Sequence, residues 1–122
     1  MNHKVVVHDQ TYASISWISG ARRDFEAFPN DAQETCLDAL TIAAEGGKAD
    51  IATPMKGFGS GVFEIALRHR DGAFRVVYAV QIGEDVWVVH AFQKKSKQRI
   101  KTPLHEIELI RERLKRLKGM LR

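Results

Sequence analysis

The spacing of hydrophobic positions changes period along this chain, and each change marks an element. Near the start, Ile15 and Trp17 alternate with Ser14 and Ser16, which predicts a short strand over Ile15–Ile18. Helical spacing follows. Phe25 and Phe28 sit one turn apart in a segment from Ala21 to Phe28, with Ser19 or Gly20 as its cap and Pro29 as its end. Asn30 is placed as an N-cap for a second helix, with Gln33 in a capping-box-like position and Asp31 near the positive helix end. Cys36, Leu37, Leu40, Ala43 and Ala44 form its apolar stripe, and Gly46-Gly47 supplies a left-handed stop. The two helices make a hairpin early in the chain.

The period then returns to two. Val62–Arg68 sets Phe63, Ile65 and Leu67 on one face, with Glu64, Ala66 and Arg68 on the other. Asp71-Gly72 predicts a two-residue hairpin turn, in a register that pairs Phe63 with Val80, Ile65 with Tyr78, Leu67 with Val76 and Arg68 with Arg75. A third strand, Val86–Gln93, follows Gly83-Glu84-Asp85. A three-residue loop there brings Val88 to Val80, His90 to Tyr78 and Phe92 to Val76, and a two-residue loop reverses that parity. Next comes the run KKSKQRIK at Lys94–Lys101. The last helix has Thr102 as cap, Pro103 at its first position, and an apolar seam of Ile107, Ile110, Leu114, Leu117 and Leu121 that can pack on the sheet or on the helical hairpin.

Composition narrows the class. With 122 residues, 44% apolar and 28% charged, residues 1–122 suit one soluble globular domain, residues 1–13 being a flexible N-terminal extension. The strongly apolar stretches Ala73–Ile82 and Val86–Phe92 are strand-sized and carry Arg75, Gln81 and His90, so no membrane span is expected. No signal-peptide pattern opens the chain, and Cys36 has no second thiol to pair with. A reducing cytoplasm fits both. Charge is divided unevenly. Residues 1–60 hold five basic and eight acidic side chains, and residues 61–122 hold fourteen and seven, the footprint of a polyanion-binding surface in the second half.

Candidate chemistry concentrates in that half. Two arginines directly opposite each other repel, so Arg68 and Arg75 invite an anion, and with Lys95 they form a three-cation cluster able to hold a phosphate and offset developing charge. The plain alternatives are ion pairs with Glu64 or Asp71, and a solvated charge run at Lys94–Lys101. Tyr78 and His90 are candidate proton-transfer groups, although a place on the apolar face suits packing better. Cys36 lies on a helix stripe and reads as core. The glycines of GFGSG, Gly57–Gly61, precede a strand rather than a helix, so they are no phosphate-binding loop. His3, His8, His69 and His105 lack metal-ligand spacing, and neither a metal nor a cofactor is assigned.

Four segments together resemble a known family. FEAFP at Phe25–Pro29, AEGGKADIATPMKGFGSGVFEI at Ala44–Ile65, FRVVYAV at Phe74–Val80 and VVHAFQKKSKQRIKTPLHEIELIRERL at Val88–Leu114 resemble the phage-related HigB-like toxins of the RelE superfamily, over about Ile15 to Leu117. The resemblance implies an α+β fold: a small curved antiparallel β-sheet with an N-terminal helical hairpin and a C-terminal helix, helices on one face and a basic concave face open to RNA. It also implies a toxin of a type II toxin–antitoxin pair, an endoribonuclease (mRNA interferase) that enters the ribosomal A site and cleaves mRNA without a metal. Carried over residue by residue, it implies catalytic roles for Arg75, Lys94, Lys95 and Arg68, and RNA contacts from Lys56, Lys97, Arg70, Arg99 and Lys101, with Arg70 an alternative to Arg68. The implied partner is a HigA-like helix-turn-helix antitoxin. A non-catalytic RNA- or protein-binding module is the alternative.

Overall fold

The computed structural model describes residues 13–94 and 101–121. The element order is β1 (Ile15–Trp17), α1 (Ser19–Glu26), α2 (Asn30–Ala44), β2 (Ala52–Pro54), β3 (Val62–His69), β4 (Gly72–Ala79), β5 (Val86–Lys94) and α3 (Leu104–Met120). The protein is α+β, with one five-stranded sheet ordered β1-β5-β4-β3-β2. All neighbours are antiparallel except β1 and β5, so the sheet is mixed.

The helical hairpin forms where expected, and its ends differ in detail. Pro29, not Asn30, is the N-cap of α2. Gln33 turns back to donate to the carbonyls of Glu26 and Phe28, so it ties α2 to the end of α1 instead of closing a capping box. At the other end the amide of Gly47 donates to Ile42 and that of Gly46 to Ala43, with Gly46 at φ 93°. This is a Schellman stop, and it needs the glycine. Ala32, Cys36, Ala39, Leu40 and Ala43 are buried, whereas Leu37 is 38% exposed.

The β3–β4 turn lies one residue earlier than Asp71-Gly72, which shifts every cross-strand partner by two. Phe63 pairs with Tyr78, Ile65 with Val76, Leu67 with Phe74, Arg68 with Ala73 and Ala66 with Arg75. Arg70 and Asp71 make the turn, and Asp71 donates its amide to Nδ1 of His69. Gly72 is the first residue of β4 because β5 passes close to it. A Cβ there would stand 2.7 Å from the Lys94 carbonyl oxygen, and the residue sits at φ 130°. Arg68 and Arg75 are therefore diagonal neighbours on one face, not opposite partners.

The β4–β5 register contains a bulge. His90 pairs with Val77, whereas Val88 pairs with Tyr78, so Val89 is the extra residue. Phe92 meets Arg75 rather than Val76, and His90 leaves the face that holds Tyr78. None of the three pairings set by the three-residue loop survives: Val88 meets Tyr78 instead of Val80, two residues along on the same face, and beyond it the inserted residue reverses the parity for His90 and Phe92.

Two cores result, one on each face. On the first, α1 and α2 cover Ile65, Phe74, Val76, Tyr78, Val88 and Ala91. Trp17, Phe25, Phe28 and Phe74 form a chain of tilted rings with centroids 4.5–5.3 Å apart, a geometry that adds about 0.5–1.5 kcal/mol per pair beyond burial. On the second, Ile110, Leu114 and Leu117 of α3 pack on Val62, Val77, Ala79 and Val89. Helices thus cover both faces, which corrects the expectation of one open face. α3 starts at Leu104 with Pro103 as N-cap, while the hydroxyl of Thr102 goes to Glu64 instead of capping the helix. Leu121, at the end of the expected seam, is 41% exposed.

Candidate functional site

The registers lay three rows of residues across the α3 face: Arg68, Ala73 and Lys94; then Ala66, Arg75 and Phe92; then Glu64, Val77 and His90. Arg68, Arg75 and Lys94 therefore share a patch, drawn from three adjacent strands at the root of the basic segment. Arg68 is exposed, whereas Arg75 and Lys94 are each 6% exposed. Such cations need internal partners. Arg75 Nη1 lies 3.3 Å from Glu64 Oε2, the oxygen that also accepts the Thr102 hydroxyl at 2.7 Å. Lys94 Nζ donates to the Lys101 carbonyl at 2.8 Å. Both ends of the basic segment are thus fastened to one patch, by Lys94 on β5 and by Glu64 on β3.

The other expected site residues distribute unevenly. Lys95, Lys97 and Arg99 lie outside the described residues. Lys101 is exposed at the start of the return to α3, and Arg70 is exposed in the β3–β4 turn. Lys56 follows β2 near the Val62 end of β3, where Met55 donates to the Val62 carbonyl. Arg68 is six residues further along that strand, a displacement of roughly 20 Å. The structure does not bring Lys56 to the patch.

Tyr78 and His90 part company. Tyr78 is 1% exposed on the α1–α2 face, against Phe63, and burial raises its pKa. That side chain is core. His90, 2% exposed, is turned by the bulge toward α3. Its Nε2 lies 2.6 Å from Glu106 Oε1, and Arg113 Nη1 lies 3.0 Å from its Nδ1 and 3.0 Å from the Val89 carbonyl. Because a guanidinium only donates, Nδ1 accepts and the ring proton sits on Nε2, directed at Glu106. Burial lowers the His90 pKa, against the opposing pull of Glu106. The neutral ring is the resident form near neutral pH.

A cavity of about 360 Å³ opens beside this network, between the end of α1, the outer edge of β5 and the first turns of α3. Asp24, Phe28, His90, Phe92, Gln93 and Glu106 line it. Glu106 and Arg113 were not singled out as site residues from the sequence. They fall on a helix whose apolar seam says nothing of the polar residues beside it, and the bulge that aims His90 at them leaves no pattern in the strand. Among the described residues no group of three metal-ligating side chains is close enough to hold an ion, and no helix is long and apolar enough to cross a membrane.

A family model described as phage derived protein Gp49-like (DUF891) matches residues 23–115, about three quarters of the chain. The chain belongs to that family. Every candidate residue of this Gp49-like chain, from Lys56 to Arg113, falls inside the matched span. No curated protein matches the Gp49-like chain. Among solved structures, a chain of the toxin–antitoxin complex RelBE2 from Mycobacterium tuberculosis is similar to it, at 14% identity and a TM-score of 0.47, over 72% of this chain and 98% of that one.

Proposed function

We propose that this Gp49-like chain is the toxin of a type II toxin–antitoxin pair, of the HigB-like kind, and that it is a ribosome-dependent endoribonuclease cutting mRNA in the cytoplasm. The observation that carries this is the gathering of Arg68, Arg75 and Lys94 on one sheet face at the root of the basic segment; the sequence resemblance supports it. In the reaction, the RNA 2′-hydroxyl attacks the adjacent phosphate, leaving a cyclic phosphate and a 5′-hydroxyl. Arg75, Lys94, Lys95 and Arg68 offset the charge that builds on the phosphate. Lys97, Arg99, Lys101, Arg70 and, at a distance along the face, Lys56 hold the RNA backbone. The ribosomal A site presents the message in line, and a HigA-like helix-turn-helix antitoxin neutralises the toxin.

The test is induction of the protein followed by primer-extension mapping of messages. Discrete new 5′ ends inside coding regions are expected. Growth arrest with intact messages would refute cleavage. One observation favours the second reading, a non-catalytic binding module: Arg75 and Lys94 are already engaged inside the protein. Under that reading the exposed lysines and arginines hold a partner, no new ends appear, and binding weakens with salt all the same.

A further inference from the structure

We propose that Glu106 is the group that takes the proton from the attacking 2′-hydroxyl, and that His90 is its positioning residue. This rests on the endoribonuclease reading above, which assigns cations to the phosphate but no base to the nucleophile.

The placement follows from the path of the chain over the sheet. Thr102 bonds Glu64 on β3, and Glu106 bonds His90 on β5. The segment between them crosses above β4, the strand that carries Arg75. Arg75 pairs with Phe92, whose ring stacks on His90 at 5.2 Å. The positioning His90 and the phosphate-binding Arg75 thus stand on neighbouring strands of one face, and Glu106 reaches down from α3 onto His90. Glu64, the β3 carboxylate on this sheet face, is bound to Arg75 and Thr102. Glu106 remains directed outward: its side chain is 17% exposed, it lines the cavity at the β5 edge, and its Oε2 reaches the exposed His105 at 3.2 Å.

His90 cannot take the proton itself, because both ring nitrogens are committed, Nδ1 to Arg113 and Nε2 to Glu106. Arg113 draws electron density from the ring and makes Nε2–H a stronger donor. That bond fixes Oε1 and leaves Oε2 on the solvent side, where its neighbour is the exposed His105. In the step itself the 2′-oxygen–phosphorus bond forms, the phosphorus–5′-oxygen bond breaks, and the 2′-hydroxyl proton passes to Glu106. Water protonates the departing 5′-oxygen, and Glu106 returns its proton to solvent.

The experiment is cleavage of a defined mRNA on purified ribosomes by the full chain and by Glu106→Gln, Glu106→Asp, His90→Gln and Glu108→Gln, with folding followed by circular dichroism. Glu106→Gln is isosteric and still accepts from His90, so a structural role predicts that it works better than Glu106→Asp. A base predicts the reverse order: Glu106→Gln loses at least about 100-fold in kcat with KM unchanged, the usual worth of a positioned acid or base, and Glu106→Asp retains at least tenfold more than Glu106→Gln at equal folded fraction. His90→Gln lowers kcat about tenfold without moving KM, and Glu108→Gln, exposed on α3, cleaves as the parent does. If Glu106→Gln cleaves like the parent, or better than Glu106→Asp, Glu106 is not the base. If the parent protein itself cleaves nothing while binding ribosomes, the nuclease reading falls and this assignment with it.

Discussion

Replacing Glu64 by Gln separates what the polar patch does for stability from what it does for RNA. The Arg75 and Glu64 side chains are 8% and 14% exposed, and their charged atoms are 3.3 Å apart. Little solvent is present to screen them. Gln keeps an oxygen for the Thr102 hydroxyl and removes the charge facing the guanidinium. Breaking one side of a buried pair costs about 3–5 kcal/mol. Retention of the Thr102 bond, worth about 1 kcal/mol, places Glu64→Gln near the lower limit, at about 3 kcal/mol. For a domain of this size that is a fall in Tm of roughly 10–15 °C. Thermal unfolding followed at 222 nm reads it directly. A Tm within 2 °C of the parent would show that the pair is not formed in solution. The same reasoning bears on Arg75→Ala, the obvious substitution for abolishing toxicity. It strands Glu64 and unfolds part of the population, so relief of growth arrest by that variant alone says little about catalysis. Arg75→Lys keeps the charge, and the double variant Glu64→Gln, Arg75→Met should recover about 2 kcal/mol of the summed loss.

Other substitutions test other parts of the fold. Gly72→Ala should destabilise by about 2–3 kcal/mol in urea unfolding, since it combines a left-handed φ with contact on the Lys94 carbonyl; Gly46→Ala, strained but with open space around it, should cost about 1 kcal/mol. Burial pushes the Cys36 thiol up to about 12, so it should resist alkylation at pH 8 until urea unfolds the chain, and labelling at the rate of a free thiol would contradict its place in the core. The His90 pKa is lowered by burial, so the folded state binds this proton less readily than the unfolded one. Its stabilisation is complete above about pH 6.5 and is lost as pH falls through the folded value; an imidazole titration by NMR with a midpoint above 6.5 would refute it. Tyr78→Phe should leave cleavage unchanged, because the hydroxyl lies on the face away from Arg75, and an RNA-cleavage defect at full folding would contradict that placement.

The elements that the sequence reveals are those with local causes. Alternation in Val62–His69, the double glycine after Ala44 and the seam of α3 depend only on neighbours in the chain, and all are found. What fails to show has distant causes. β2 is three residues long and ends in Pro54, too short for a period, and it is a strand because β3 offers it a partner. The turn slips from Asp71-Gly72 to Arg70-Asp71 because β5 presses on Gly72. At the site, sequence placed Arg68 and Arg75 on one face, with Glu64 as an alternative partner, and expected Lys95 beside them; the register puts Lys94 there, and Lys95 lies outside the described residues. Sequence did not foresee that Arg75 and Lys94 would be buried, nor that one inserted residue, Val89, would hand His90 to α3.

The parallel pairing of β1 with β5 joins Ile15 to Val86 across about seventy residues, and Ser16 reinforces it by donating its hydroxyl to Asp85 at 2.6 Å. Contacts of such separation form late and slowly. During synthesis, neither β1 nor α1, which packs on β5, has a docking surface until β5 has been made and has left the exit tunnel. The aromatic core around Phe25 and Phe28 therefore stays open until β5 has emerged, and the basic run and α3, which follow β5 in the chain, arrive as that core closes.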